Sequence, residues 1–384
     1  MHRSVSRAGL RACLLGASLL IPGAACADPG DVVAEVESFQ ADFVVETVAE
    51  GLEFPWSIAF LPDGRALVTE RPGRIRILSP DGALSDPLDH GRDVVARNQG
   101  GMLGITLDPN FAENGLIYFC YVTGEPNASY DEVARARFDG AALTDVEVIW
   151  TADSVASTGG HFGGRLVWDH DGKLFITLGE RQRHSDQAQD PHNHFGTVVR
   201  INPDGSIPDD NPFADGEGGR PDVWSYGHRN QQGAFVHPET GALWTHEHGA
   251  RGGDEINIVR PGVNHGWPEI TYGINYNGQP ISDHQEMEGM ALPIWYWQPS
   301  IAPSGMTYYE GEAFPRWDGD VFAGGLAGTQ LARFEVEGEQ IIGHEILLDD
   351  FGERIRDVAT GPDGFVYLLT DNGAGRVLRL RPAD

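Results

Sequence analysis

The feature that most constrains the fold is a hairpin signature that occurs six times along the chain. Each copy is a tight turn that contains glycine and is followed by an alternating apolar strand. The copies are Pro62–Val68, Asn110–Tyr118, Asp169–Ile176, Pro238–Trp244, Trp317–Phe322 and Pro362–Leu368. Their turn glycines are Gly64, Gly115, Gly172, Gly241, Gly319 and Gly364, so five intervals cover 300 residues at a mean of 60. This period predicts a repeat architecture.

A repeat of this length, with one hairpin per unit, is typical of four-stranded sheets arranged around an axis. We therefore predict an all-β fold, a six-bladed β-propeller of four-stranded antiparallel blades that occupies residues 41–384 as a single domain. A pair of β-sandwiches is the alternative, but no low-complexity or Pro/Ser-rich linker divides the chain. The intervals are longest between Gly172 and Gly319. Extra loops that build a site are expected there.

The N-terminus has the pattern of an export signal. Arg3, Arg7 and Arg11 precede an apolar run, and Ala25-Cys26-Ala27 resembles a small-residue cleavage site. We interpret residues 1–27 as a signal peptide and predict a periplasmic or secreted protein. Lipidation at Cys26 is the less favoured alternative, because Gly23 lies where lipoprotein signals prefer Leu. Residues 28–40 then form an N-terminal extension whose mobility the sequence leaves open.

Charge and hydropathy exclude several classes of function. The formal net charge of −30 argues against a nucleic-acid partner. No segment after the leader approaches the roughly 18 uninterrupted apolar residues of a membrane span. Cys120 is the one cysteine beyond the leader, so no disulfide is expected within the mature chain.

Polar residues that no hairpin requires are concentrated in glycine-rich runs between the predicted strands. Glycine at such positions lets the backbone approach a ligand closely. The glycine-rich runs are Asn98–Gly104, Gly159–Leu166, Tyr226–Gly233 and Glu247–Ile256, and a fifth polar run, Glu353–Asp357, directly follows Gly352. We expect these runs to form the site.

His161, between two glycine pairs, is the candidate general base. A single histidine is more often structural, but the flanking glycines leave its ring open to a planar ligand, and its near-neutral pKa suits proton transfer. Arg229, Arg354 and Arg356 also lie in these runs. They are either surface ion-pair donors or a clamp for a ligand with several carboxylates.

The run from Glu247 to Glu255 combines carboxylates, glycines and exposed carbonyls, the donors that calcium prefers. The pairs His246/His248 and His192/His194 offer a less favoured transition-metal alternative, because no third clustered ligand supports them. The chain lacks the glycine fingerprint of nicotinamide-binding folds and the Gly-x-Ser-x-Gly elbow of serine hydrolases.

From about Leu52 to Leu380 the sequence resembles the soluble pyrroloquinoline quinone (PQQ) dependent sugar dehydrogenases, especially their aldose sugar dehydrogenase branch. The resemblance covers several long motifs in order. These are Gly51–Ser57, the run around Gln99 (Asn98–Gly104), His161–Leu166, Ala188–Pro191, Ile207–Phe213, Trp224–Asn230, Glu247–Asn257, Asn264–Trp267 and Arg354–Val358.

The resemblance implies a six-bladed propeller with PQQ lying flat across a cleft on one face, and it assigns roles to residues. His161 falls on the catalytic base, and Arg229 would stabilise negative charge on the quinone oxygens. The positions that hold the quinone and its carboxylates are Gln99, Arg229, Asn230, Arg354 and Arg356, with Tyr276 as a further contact. The carbonyls of Gly249 and Ala250 match the calcium ligands at the quinone, whereas Glu255 and the backbone of His265 match a further calcium site.

The implied reaction is PQQ- and calcium-dependent oxidation of an aldose at C1 to its lactone. His161 takes the hydroxyl proton while the hydride passes to the quinone, and a quinone or cytochrome then accepts the electrons. A calcium-dependent propeller lactonase or hydrolase is the alternative enzyme, and a non-catalytic binding propeller is a third interpretation. The natural sugar, the electron acceptor and the oligomeric state stay open.

Two positions depart from the better-known glucose dehydrogenases of this family. Ala327 stands where those enzymes place a lysine against the cofactor, so one carboxylate contact is absent or comes from elsewhere. Gly160 stands where they carry an aspartate that could orient the base. We therefore expect a water molecule or a backbone carbonyl to orient His161.

Overall fold

The computed structural model describes residues 30–383, and the predicted signal peptide lies outside this range. The described chain begins with β1 (Val32–Val36) and β2 (Phe43–Leu52). The first sheet that follows has β3 (Pro55–Phe60), β4 (Ala66–Glu70) and β5 (Arg74–Leu78). The second has β6 (Met102–Leu107), the short helix α1 (Phe111–Asn114), β7 (Leu116–Glu125), β8 (Ala128–Phe138) and β9 (Leu143–Thr151).

Four more sheets complete the chain. The third has β10 (Gly163–Trp168), β11 (Leu174–Leu178), a 3₁₀ helix (Ser185–Gln189), β12 (Thr197–Ile201) and β13 (Val223–Tyr226). The fourth has β14 (Gln231–Val236), β15 (Leu243–Glu247), β16 (Asp254–Val259) and β17 (Trp295–Trp297). The fifth has β18 (Pro303–Tyr308), β19 (Val321–Gly325), β20 (Leu331–Glu337) and β21 (Gln340–Leu347). The sixth has β22 (Ile355–Thr360), β23 (Val366–Thr370) and β24 (Gly375–Pro382).

These six antiparallel sheets are the blades of a propeller, which confirms the predicted fold class. The first strands of the blades, β3, β6, β10, β14, β18 and β22, contact one another in sequence and close a ring. The ring is locked by the two ends of the chain, because β2 pairs with β24 along its length. This pairing joins Phe43 to Pro382 and Leu52 to Gly375. In the described chain the outermost strands of the blades are the free edges of the sheets.

Strand number varies between blades. Four sheets have four strands, the first has three, and the sixth has five because β1 adds outside β2. In the first blade, Leu84 pairs with Leu78 of β5 through an isolated antiparallel bridge, in the place where the other blades have a regular fourth strand. Part of the predicted N-terminal extension therefore forms β1.

The six predicted turn glycines are all found between the first and second strands of the six blades. Each has a left-handed backbone, from φ 64° at Gly115 to φ 91° at Gly319, a conformation that glycine adopts at little cost. The hydrophobic core lies between neighbouring blades, and Trp56, Tyr118, Phe162 and Leu178 belong to a cluster shared by the first three blades. Cys120 is buried in this cluster as a free thiol.

The strand direction determines which loops can meet. In every blade, the segment before the first strand and the segment after the second strand lie at the same end of the sheet. All five runs that the sequence singles out include a segment of this kind. The long connection between β16 and β17 is one of the expected additions between Gly172 and Gly319. Among residues 30–383, no helix is long and apolar enough to cross a membrane.

Candidate active site

His161 lies two residues before β10 and is 6% exposed. Its Nδ1 atom is 2.7 Å from Oε1 of Glu180, which follows β11 in the same blade. A carboxylate can only accept, so with Glu180 ionised the Nδ1 atom carries the proton and Nε2 has the free lone pair. The expectation that a water molecule or a backbone carbonyl orients His161 is therefore wrong, because the side chain of Glu180 holds this position.

The backbone around His161 is tightly constrained. His161 has a left-handed φ of 54°, which is uncommon for a residue with a side chain and is maintained only by surrounding contacts. A Cβ atom on Gly179 would lie only 2.3 Å from the carbonyl oxygen of His161. A Cβ atom on Gly163 would lie 2.4 Å from the carbonyl oxygen of Thr177. These glycines let the His161 segment pack directly on β11.

The pKa of His161 is lowered from its ordinary value. Burial is the main cause, the hydrogen bond that His161 donates to Glu180 opposes it, and the positive charge of Arg229 adds to the lowering. The imidazole is therefore neutral at pH 7 and can accept a proton at Nε2.

Gln99 and Arg229, which the sequence predicts to hold a cofactor, both lie close to His161. The Oε1 atom of Gln99 accepts a hydrogen bond from the backbone N–H of His161 at 2.8 Å. The Arg229 guanidinium donates to the carbonyls of His248 and Gly249, and it lies 5.1 Å from the centre of the Trp267 ring. Its Nε atom is buried without a partner among the described residues. Gln99 thus supports the base loop, while Arg229 retains a free donor.

Asn230 precedes β14 and is fully buried. Its Oδ1 atom accepts from the backbone N–H of Gly163 and from the side chain of Gln232, each at 3.2 Å. The Nδ2 atom has no partner among residues 30–383. A buried amide without a partner is costly, so this donor is available for a ligand.

Arg354 and Arg356 converge on Asp371, together with Arg71, which the sequence interpretation did not identify. The shortest nitrogen–oxygen distances to Asp371 are 2.9 Å from Arg354, 3.2 Å from Arg356 and 3.8 Å from Arg71. Burial opposes ionisation of Asp371, but Arg356 and Arg354 outweigh it and lower its pKa. Three guanidinium groups around one carboxylate leave an excess of positive charge.

Arg354 also accounts for one of the two departures from the family pattern. Its Nη1 atom donates to the carbonyl of Leu326 at 3.0 Å, immediately before Ala327. A positive charge therefore lies beside Ala327, the position at which the resemblance places a lysine in the better-known glucose dehydrogenases. Arg354 is 46% exposed in its side chain, so it remains accessible to a ligand.

Three of the four predicted calcium residues, Gly249, Glu255 and His265, line a small cavity beside β15 and β16, and Arg229 lines it as well. The cavity has a volume of about 10 Å³, enough for one water-sized species, and its lining includes Glu247, Gly249, Glu255 and His265. Burial and the charge of Glu247 raise the pKa of Glu255. Ala250 is buried beside Gly249 in the same loop. The structure thus brings the predicted oxygen donors together.

No group of three or more His, Cys, Asp and Glu side chains within the described residues has the arrangement of a metal site. The predicted histidine pairs have other partners. His246 and His248 bond the backbone carbonyls of Gly305 and Pro303. His194 contacts Asp153 and Asp222, whereas His192 contacts Asp190 on the surface.

Tyr276 lies on the long connection between β16 and β17 and is 73% exposed. The nearby Tyr272 and Tyr296 stack on each other with ring centres 4.1 Å apart. A role for Tyr276 against a cofactor stays a prediction.

Glu180, Arg71 and Asp371 escaped detection because none lies in a glycine-rich run that the sequence singled out. They nevertheless occupy one equivalent position. Arg71 directly follows β4, Asp371 directly follows β23, and Glu180 is the second residue after β11. The end of the second strand in each repeat was therefore the available signal.

Comparison with known proteins agrees with this geometry. The family model described as glucose/sorbosone dehydrogenase matches residues 52–379. Aldose sugar dehydrogenase YliI of Escherichia coli K12 is 42% identical over 346 residues, which cover 88% of this chain and 93% of that protein. The crystal structure of the soluble aldose sugar dehydrogenase from Escherichia coli, in its apo form, has a TM-score of 0.85 at 42% identity, covering 88% of this chain and 99% of that one.

The PQQ-bound aldose sugar dehydrogenase from Streptomyces coelicolor has a TM-score of 0.73 at 28% identity, covering 92% of this chain and 99% of that one. The family match spans all six blades and every predicted site residue. The chain therefore belongs to the glucose/sorbosone dehydrogenase family and is an oxidoreductase.

Proposed function

We propose that this protein oxidises aldose sugars at C1 to the lactone, with PQQ and calcium as its cofactors. The observation that carries the proposal is the His161–Glu180 pair at 2.7 Å, buried at one face of the propeller where Gln99, Arg229 and Asn230 also converge. A neutral, oriented imidazole in such a place is suited to removing a hydroxyl proton.

The residues present fit PQQ, which is an anion with three carboxylates. Arg71, Arg354 and Arg356 share Asp371 as a carboxylate partner, so they can bind further negative charge through charge-assisted hydrogen bonds. The Nε atoms of Arg229 and Arg356 and the Nδ2 atom of Asn230 are buried donors without partners in the described chain. The bound form of the Streptomyces relative supports the same cofactor for this chain. We assign Gln99, Arg229, Asn230, Arg354 and Arg356 to its binding, with Arg71 added and Tyr276 as an outer contact.

Calcium also fits the donors. The carbonyls of Gly249 and Ala250 lie in the loop beside Arg229 and are oxygen donors of the kind that a hard cation at the cofactor would need. The Gly249 carbonyl accepts a hydrogen bond from the Arg229 guanidinium, so such a cation would replace Arg229 as its partner. Glu247 and Glu255 repel each other at the small cavity, and a divalent cation held by Glu255 and the His265 carbonyl would relieve that repulsion.

The protein's own groups then define the chemistry. The Nε2 atom of His161 takes the proton of the C1 hydroxyl, and Glu180 stabilises the imidazolium that forms. Arg229 stabilises negative charge that develops opposite the base. When bound, PQQ supplies the acceptor for the hydride and calcium increases its electrophilicity.

Dye reduction tests the proposal. Purified protein supplied with PQQ and Ca²⁺ should reduce an artificial acceptor with glucose or another aldose, and the His161→Ala variant should not. Calcium-dependent hydrolysis of a lactone without PQQ, together with no dye reduction in its presence, would instead indicate the hydrolase alternative. Sugar-independent dye reduction, or full activity in His161→Ala, would refute the assignment.

Location and electron acceptor are part of the same proposal. The signal-peptide pattern at residues 1–27 supports a periplasmic or secreted enzyme. Electrons from the sugar must leave the bound cofactor after each turnover, and we propose a quinone or a cytochrome as their acceptor. Fractionation of cells that express the full chain, with immunodetection of the mature protein, checks the location.

A further inference from the structure

A second polar cavity lies beside the base loop. Its volume is about 250 Å³, and it is lined by Arg97, Asn98, Ser157, Gly159, Gln182 and Arg183, with Thr158. The cavity adjoins the His161 segment, because Gly159 bonds Gln99, and a Cβ on Gly160 would meet the Gln182 side chain at 2.6 Å. It is smaller than the roughly 300–1,000 Å³ typical of pockets for drug-sized ligands, so it suits one sugar unit.

The charge of this cavity is opposite to that of the protein. The chain has a formal net charge of −30, yet the residues that line the cavity include two arginines and no carboxylate. Both arginines are exposed in the described chain. The contact of Arg183 within residues 30–383 is made by its backbone N–H, which donates to the Arg181 carbonyl, and its side chain has no hydrogen bond or ion pair in that range. An anion that enters the cavity therefore meets an uncompensated guanidinium.

Arg97 is held in position. Its Nη1 atom donates to the carbonyls of Pro126 and Ser157, which leaves the other guanidinium nitrogens available. A guanidinium fixed by backbone carbonyls loses less side-chain entropy when it binds a carboxylate. Arg97 can thus serve as a fixed contact and Arg183 as an adjustable one.

The wall that presents Arg183 is also rigid. Arg181 and Gln182 both have left-handed backbones, with φ of 62° and 67°. The buried Arg181 side chain bonds Ser129, Ser154 and Thr158, and it stacks 3.9 Å from the centre of the Phe162 ring. Such strained residues persist only where their surroundings determine them, and here they turn Gln182 and Arg183 toward the cavity.

We propose that this cavity is a subsite for the carboxylate of an acidic sugar whose aldose carbon is oxidised at His161. This inference rests on the proposed function. The carboxylate can belong to the oxidised ring itself, as in a uronic acid, or to a uronate unit linked to that ring. Paired arginines with neighbouring amides recognise a carboxylate together with sugar hydroxyls.

Paired substrates test the subsite. Glucose and glucuronate differ in charge at C6, while cellobiose and cellobiouronate differ in charge on the distal unit. The values of kcat/KM are measured for the wild type, Arg183→Gln, Arg97→Gln and a control, Arg316→Gln, which removes an exposed arginine at the edge of the fifth blade.

In one of the two substrate pairs, Arg183→Gln and Arg97→Gln should each lower kcat/KM for the anionic sugar about tenfold, which is the effect of losing a charge-assisted contact. The kcat/KM for the neutral sugar of that pair should change less than about twofold. The pair that responds identifies where the carboxylate resides. Arg316→Gln should leave the ratio of the two values unchanged. An unchanged ratio in all variants and both pairs overturns the proposal.

Binding provides a readout that does not depend on catalysis. Calorimetric titration of the cofactor-free protein with glucuronate and with cellobiouronate should show binding that weakens in Arg183→Gln and at high salt. If no sugar is oxidised but this binding is present, the proposed function fails and the subsite stands. If neutral sugars are oxidised and neither uronate shows an arginine-dependent interaction, the subsite fails and the proposed function stands.

Discussion

The Nδ1 atom of His161 and the Oε1 atom of Glu180 are 2.7 Å apart in a buried contact between the start of β10 and the end of β11. His161 lies two residues before β10 and Glu180 two residues after β11, and the pairing of Gly163 with Leu178 at the ends of these strands brings the two residues together. The backbone N–H of Glu180 also donates to the Arg229 carbonyl at 3.0 Å. The base, its carboxylate partner and the neighbouring arginine thus form one connected unit.

Replacing Glu180 by Gln tests the role of its charge. The variant keeps an acceptor of the same shape but cannot stabilise the imidazolium ion, so kcat should fall by about 100-fold. Glu180 raises the pKa of His161, and its loss should move the acid limb of kcat/KM to lower pH. Circular dichroism checks the fold. A variant with normal kcat would show that Glu180 has no part in proton transfer.

The pH dependence of the wild type follows from the state of His161. Burial lowers the pKa of this residue, so the neutral form persists below the ordinary value of 6.5. We expect kcat/KM to be level near pH 7 and to fall only on the acid side of pH 6.5. Arg229 contributes to the lowered pKa, so Arg229→Gln should shift the acid limb upward. A limb that does not move in this variant contradicts the assignment of the limb to His161.

Most of the fold is predictable from the sequence because its signal is local and periodic. A glycine such as Gly172 or Gly364 marks each hairpin between the first and second strands, and six such signals determine the number of blades. The pairing of β2 with β24 is not visible in this way, since it joins residues more than 300 positions apart. Likewise, no local pattern indicates that β1 adds a fifth strand to the last blade.

The site was predictable only in part, for a related reason. His161 and Arg229 lie in glycine-rich runs that stand out in the sequence. Glu180 and Arg71 follow ordinary strands and gain a role only when the ring of blades brings the strand ends together. The partner of His161 was therefore predicted wrongly, although Glu180 is only 19 positions away.

The arginine cluster predicts how PQQ binding responds to mutation. Arg71→Gln should raise the dissociation constant of PQQ about tenfold, because it removes one of three cations near the expected cofactor carboxylates. At saturating PQQ, kcat should change little. Fluorescence titration measures the affinity.

Arg74→Gln is the matched control, since Arg74 lies three positions further on and pairs with Glu70 and Glu53 outside the cluster. Its PQQ affinity should equal that of the wild type. Equal affinities in Arg71→Gln and Arg74→Gln would exclude Arg71 from the cofactor site.

The carboxylates at the small cavity predict a calcium effect on stability. Glu247 raises the pKa of Glu255 by repulsion, so Ca²⁺ should raise Tm and a chelator should lower it. In Glu255→Gln the repulsion is absent, and Tm without calcium should be higher than in the wild type. The shift of Tm on addition of Ca²⁺ should also become smaller. An unchanged shift would place the structural calcium elsewhere.

Asp131 on β8 gives a prediction about stability away from the catalytic residues. This carboxyl is fully buried, neither oxygen has a hydrogen-bond partner within residues 30–383, and burial raises its pKa to about 7. The folded state therefore retains a proton that the unfolded state loses near the ordinary value of 3.8. Its contribution to stability is complete below pH 3.8 and decreases as the pH rises to 7.

Asp131→Asn should remove this dependence, because the amide has a similar shape and does not ionise. The difference in unfolding free energy between variant and wild type should rise by about 1.4 kcal/mol per pH unit between pH 4 and 7, in favour of the variant. Urea denaturation at several pH values measures it. Asp190→Asn is the control, since Asp190 is an exposed carboxyl whose pKa is lowered by hydrogen bonds from His192, and it should show no such rise. A constant difference between Asp131→Asn and the wild type would mean that Asp131 is ionised in the fold throughout this range.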